Sequence, residues 1–97
     1  MTTIDAIKAK LTVCKPVLAE RYGIKEIGIF GSYVRGQQKQ KSDVDVLVDF
    51  TGSISLLEFI HLENELSELL GMKVDLVMKT SLKPHIGRHI IEEVMPV

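Results

Sequence analysis

The chain predicts an α+β fold, a small mixed β-sheet covered by helices. Three observations carry this expectation. Apolar residues recur with a helical period in some segments and alternate with period two in others. The two kinds of segment take turns along the chain, an order that indicates a sheet packed against helices. The link from Phe30 to Asp43 is too short for a crossover helix. The two strands that it joins therefore pair antiparallel, which makes the sheet a mixed one.

Each element has its own signal. From Thr3 to Tyr22, residues Ile4, Ile7, Leu11, Cys14 and Leu18 fall at spacings of three and four, which predicts an amphipathic helix. Pro16 removes a backbone hydrogen bond, so the helix is expected to kink or restart there. Gly23 ends it. Ile24 to Phe30 is short and isoleucine-rich, as a strand should be. Between Asp43 and Phe50 the valines and Phe50 face one way, and Asp43, Asp45, Leu47 and Asp49 face the other. Ser55 with Glu58 forms a capping-box pattern. The following helix carries a broad apolar face from Leu56 to Leu70 and closes at Gly71. Lys73 to Met78 reads as a third strand. A last helix follows Pro84, with Ile86, Ile90 and Val94 on one side, either core or interface. The polar stretch Gln37 to Lys41 reads as a surface loop.

Ninety-seven residues suit one domain, residues 1–97. Twelve basic residues face thirteen acidic ones, which argues against an extended nucleic-acid footprint. No apolar run approaches the roughly 20 residues of a membrane helix. The N-terminus does not read as a signal peptide, and the single cysteine, Cys14, excludes an internal disulfide. A cytoplasmic location is the expectation.

The chemistry concentrates on three aspartates. Asp43 and Asp45, two apart on a strand, share a face. Their like charges repel unless a cation lies between them, and magnesium prefers a few carboxylates plus substrate phosphates. An exposed edge strand would look similar and need no metal. Asp75, in Lys73-Val74-Asp75-Leu76-Val77, can join the pair if its strand lies alongside; otherwise it is an edge-strand charge. Gly31-Ser32 follows directly on the first strand. Glycine lets a ligand approach the backbone, Ser32 can cap a short helical turn, and the free amides there suit phosphate oxygens. Arg35 can add a charge-assisted contact. Asp49 lies about 13 Å from Asp45 along the strand and is left out. His85 and His89 have zinc-compatible spacing without a third ligand.

Taken together, GSYVRG, eleven residues from Gly31 to Ser42, then SDVDVLVDF and KVDLV, resemble the nucleotidyltransferase superfamily that includes DNA polymerase beta. Within it the chain looks like the minimal nucleotidyltransferases, antitoxin partners of HEPN-domain toxins. The resemblance implies a palm-like core and AMP transfer from ATP to a hydroxyl, a tyrosine of the toxin. It implies two Mg2+ ions held by Asp43 and Asp45, with Asp75 completing the site for the attacking hydroxyl. It implies that Gly31 and Ser32 hold the phosphates, and that Arg35 supports the turn or the nucleotide. Two alternatives stay open. One is a binding module that neutralises its partner without catalysis. The other is transfer to a small molecule or an RNA 3′ end.

Overall fold

The computed structural model describes residues 3–37, 43–82 and 84–97, without the side chains of Pro84, His85 and Ile86. The loop expected at Gln38 to Lys41 and the motif residue Ser42 lie outside the described residues. So do the side chains of His85 and Ile86.

The elements run α1 (Ile4–Tyr22), β1 (Ile24–Phe30), α2 (Ser32–Arg35), β2 (Val44–Phe50), α3 (Leu56–Leu70) and β3 (Val74–Met78). A single 3-10 turn (Lys79–Ser81), α4 (Pro84–Glu93) and β4 (Met95–Pro96) complete the chain. The strands form one sheet in the order β3-β2-β1-β4. β1 and β2 pair antiparallel, whereas β2 and β3 pair parallel. The sheet is mixed, as the short link between β1 and β2 requires.

Local chemistry explains the boundaries. The Thr3 hydroxyl accepts from the Ala6 amide and starts α1. Ser55 caps α3 by accepting from the Glu58 amide. Gly23 and Gly71 end these helices in the left-handed conformation. The helix does not restart at Pro16, because Ile4–Tyr22 form one helix. Leu11 and Leu18, before and after the proline, are both buried in the core. Tertiary packing of that face outweighs the lost hydrogen bond.

α1 and α3 cover one side of the sheet. There Ile7, Leu11, Leu62 and Leu66 meet Ile27, Ile29, Val44, Val46 and Val48 in the main core. Leu62 has no exposed surface. Leu62→Ala is therefore expected to cost about 2–5 kcal/mol of unfolding free energy, read from urea titration. A loss below about 1 kcal/mol would not fit a side chain this deeply packed.

The fourth strand, β4, was not anticipated from the sequence. It pairs with β1 through Gly28↔Pro96 and Ile29↔Met95. Gly28 is what admits it: a Cβ there would lie 2.6 Å from Val94 Cγ2 and 3.0 Å from the Met95 carbonyl oxygen. β3 is the other edge of the sheet. Its outward amides are covered from α3, Val74 N–H donating to Ser67 Oγ (3.0 Å) and Leu76 N–H to Glu63 Oε2 (2.9 Å). Covering an edge in this way blunts its tendency to pair with other chains. No helix among the described residues is long and apolar enough to cross a membrane.

Candidate active site

The backbone register brings the acidic residues together. Asp45 on β2 lies abreast of Phe30 on β1 and of Asp75 on β3. Residues abreast in neighbouring strands present their side chains on the same face, so Asp45 and Asp75 share the face opposite the main core. Asp43 immediately precedes β2. It stands near Lys73, whose ammonium is 3.8 Å from Asp43 Oδ2. Both partners are well exposed, so this pair adds little stability.

Asp45 carries the electrostatic tension of the site. Burial, then the negative charges of Asp75 and Asp43, hold its carboxyl above the ordinary carboxylate range. Arg35 opposes this and Glu93 adds to it. Asp75, by contrast, is exposed on its edge strand. The sequence offered either a partner for the aspartate pair or an edge-strand charge. Asp75 is both an edge-strand charge and a neighbour of Asp45, so the two readings of this residue are not exclusive.

The glycine-serine turn sits directly on Asp45. Gly31 has φ +83° and ψ −151°, a combination essentially confined to glycine. A Cβ there would lie 2.0 Å from Asp45 Oδ2. Ser32 does not cap the short helix as expected. Gly31 holds the cap position and Ser32 is the first helical residue. The Gly31 carbonyl accepts from the amides of Val34 (3.1 Å) and Arg35 (3.2 Å). The amides of Ser32 and Tyr33 belong to the first turn and have no intrahelical acceptor. Tyr33 is buried in the core cluster.

The Gly31 amide is not free. It donates to Glu93 Oε2 at 3.1 Å, and Arg35 Nη1 donates to the other oxygen, Glu93 Oε1, at 2.8 Å. Arg35 also reaches Gln37 through Nε (3.1 Å). In this structure Arg35 supports the turn. Gly31, Arg35, Asp45, Asp75, His89 and Glu93 together line an open groove of about 370 Å³. The walls thus come from β1, α2, β2, β3 and α4. Asp49 lies outside it and lines a separate cavity of about 220 Å³ with Lys15, Lys25 and Lys79.

The sequence reading overlooked Glu93 and considered His89 only for zinc. A signal for Glu93 was available. Glu92 and Glu93 end α4 with no basic residue in the last turn, although negative charge is unfavourable at a helix C-terminus.

The donor chemistry fits a hard divalent cation. Carboxylate oxygens are the ligands magnesium takes, and Asp45 is crowded by negative charge that a cation would relieve. Among the described residues no three carboxylates, histidines or cysteines converge into a ready-made cage.

Comparison with known proteins follows the same lines. Residues 11–95 match the nucleotidyltransferase domain family. The chain is 55% identical over its full length to the protein adenylyltransferase MntA of Thermococcus cleftensis, covering 98% of that protein. A solved structure of a provisionally named minimal nucleotidyltransferase superposes with TM-score 0.85 at 30% identity, covering 99% of this chain and 97% of that one. A complex of a tri-AMPylated HEPN toxin of Shewanella oneidensis with its MNT antitoxin shares the fold. There the TM-score is 0.69 at 19% identity, with 93% of this chain and 70% of that one covered.

Proposed function

The chain belongs to the nucleotidyltransferase domain family, in its minimal form, and from that premise we propose that it moves AMP from ATP to a hydroxyl of a HEPN-domain toxin. The transfer silences the toxin, so the chain acts as the antitoxin of the pair. The observation that carries this reading is the alignment of Asp45 with Asp75, with the Gly31 turn pressed against Asp45.

In the reaction, the acceptor hydroxyl releases its proton to solvent and its oxygen forms a bond to the α-phosphorus of ATP. The bond from that phosphorus to the β-bridging oxygen breaks, and pyrophosphate leaves. Asp43 and Asp45 would hold two Mg2+ ions, and Asp75 would complete the site for the attacking hydroxyl. Bound magnesium supplies Lewis acidity at the acceptor oxygen and neutralises charge on the triphosphate. The turn from Gly31 holds phosphate oxygens through the amides of Ser32 and Tyr33, with the Ser32 hydroxyl beside them. Arg35 holds the turn through its ion pair with Glu93. The near-neutral net charge of −1 suits a single nucleotide and a protein acceptor better than a long RNA. The adenylyltransferase name of the Thermococcus cleftensis relative and the AMPylated toxin in the Shewanella oneidensis complex support donor and acceptor class.

The decisive experiment uses ATP labelled at the α-phosphate, magnesium, the full chain and its HEPN partner. Label is expected on a tyrosine of the partner, and it should disappear with a chelator. Label on neither the partner, an RNA end nor a small alcohol would remove the transfer reading. An Asp43→Asn/Asp45→Asn double variant that protects cells as well as the wild type would show that binding alone suffices.

A further inference from the structure

We propose that Glu93 is a positioning residue for this transfer: from the end of the last helix, its carboxylate sets the Gly31 turn and Arg35 in their working geometry. The inference rests on the function proposed above and assigns a role to a residue outside the aspartates and the glycine-serine turn.

Three observations support it. First, one carboxylate serves both parts of the turn. Glu93 Oε2 accepts from the Gly31 amide and Oε1 from Arg35. It therefore clamps the entry of α2 and its last residue to a single point. Two such bonds fix orientation as well as distance.

Second, the clamp is rigidly mounted. Two residues beyond Glu93, Met95 pairs with Ile29 on β1, and the Val97 amide donates to the Ile27 carbonyl (3.0 Å). Val94 fits against Gly28, where no Cβ could be accommodated. The two-residue strand β4 thereby gains a purpose. It fixes the end of α4 to the strand that leads into the turn.

Third, the placement runs against local preference. A carboxylate at a helix C-terminus faces the negative end of the helix dipole, and this one also adds negative charge beside Asp45. A residue that breaks a local rule without local compensation is expected where function needs it. Only long-range contacts, to Arg35 and the Gly31 amide, offset it.

The opposite role would have Glu93 standing where a phosphate oxygen binds and leaving when ATP arrives. The two roles give opposite signs. A clamp makes ATP binding worse when it is weakened, whereas a competitor makes it better. The mounting on β1 favours the clamp.

The test measures two quantities in Glu93→Gln and Glu93→Ala. One is hydrogen exchange of the Gly31 amide in the full chain without nucleotide, with the Ile29 amide as internal reference. Gly31 is expected to exchange about tenfold faster or more in both variants, with Ile29 unchanged. The other is steady-state AMP transfer to the partner. The KM for ATP is expected to rise roughly tenfold while kcat changes much less, the alanine variant exceeding the glutamine one. A merely stabilising residue would lower the melting temperature without this split. An unchanged or lowered KM for ATP, or Gly31 exchange that ignores Glu93, overturns the proposal. If the wild type itself transfers no AMP, it is the proposed function that fails. The Gly31 exchange result then decides the clamp alone.

Discussion

Replacing Asp45 by asparagine is expected to lower AMP transfer on the order of a thousandfold, a loss like that of a preorganised charge-stabilising group, while making the nucleotide-free protein more stable at neutral pH. The two effects have one origin. Burial and the charges of Asp75 and Asp43 raise the pKa of Asp45. A carboxyl whose pKa is higher in the folded state binds its proton more tightly there than in the unfolded chain. Its ionised form therefore opposes folding at pH values above the folded pKa. The opposition fades as the pH drops through that pKa towards the ordinary value of 3.8. Asparagine carries no charge to repel, so the variant should melt above the wild type near pH 7. The gap should close at about pH 2.5, below both pKa values, where the wild-type carboxyl is protonated in both states.

Adding ATP with magnesium should reverse the order at pH 7, because a ligand stabilises the form that binds it. Paired thermal melts at the two pH values, with and without nucleotide, check this alongside the transfer assay. If the asparagine variant is less stable than the wild type at pH 7, Asp45 is not held under the repulsion described. A site that holds such repulsion for the proposed reaction would trade stability for activity.

Much of this arrangement was legible in the residues. Ser55 and Glu58, Gly23 and Gly71 mark helix ends because their chemistry is local, so no knowledge of the fold is needed to read them. The valine alternation in β2 gave the core face directly, since Val44, Val46 and Val48 are fully buried. The short link gave the antiparallel pairing. Other features depend on contacts far apart in sequence. Pro16 looks like a breaker until Leu11 and Leu18 are seen in the core. β4 is only two residues long and one of them is proline, so it has no pattern to detect. It exists because Gly28 leaves room. The approach of Asp75 to Asp45 is a matter of strand register, which period alone does not set. Glu93 reaches Gly31 across 62 positions. Its only local trace is the unfavourable charge at the end of α4.

Gly31→Ala should be the most damaging of the single-methyl changes at the chain's positive-φ glycines, and Gly36→Ala a mild one. Both glycines have positive φ, +83° and +68°, but their surroundings differ. At Gly36 the conformation is left-handed helical and nothing lies within 4 Å of a Cβ. Alanine there costs about 1–2 kcal/mol of backbone strain and touches no neighbour. At Gly31 the backbone lies in a region closed to other residues, at a cost of order 1–3 kcal/mol, and the new methyl would lie 2.0 Å from Asp45 Oδ2. Either the turn or the carboxylate must then move. If the turn moves, its amides leave the place proposed for the triphosphate; if Asp45 moves, it leaves its place beside Asp75. A displacement of about 1 Å at a reacting centre can cost on the order of a hundredfold in rate. Transfer by Gly31→Ala is therefore expected to fall at least that far at temperatures where circular dichroism shows it folded. Gly36→Ala should stay within about tenfold of wild type. Equal activities in the two variants would mean that the turn can yield without disturbing Asp45. The contact between glycine and carboxylate would then not be what fits this site to its nucleotide.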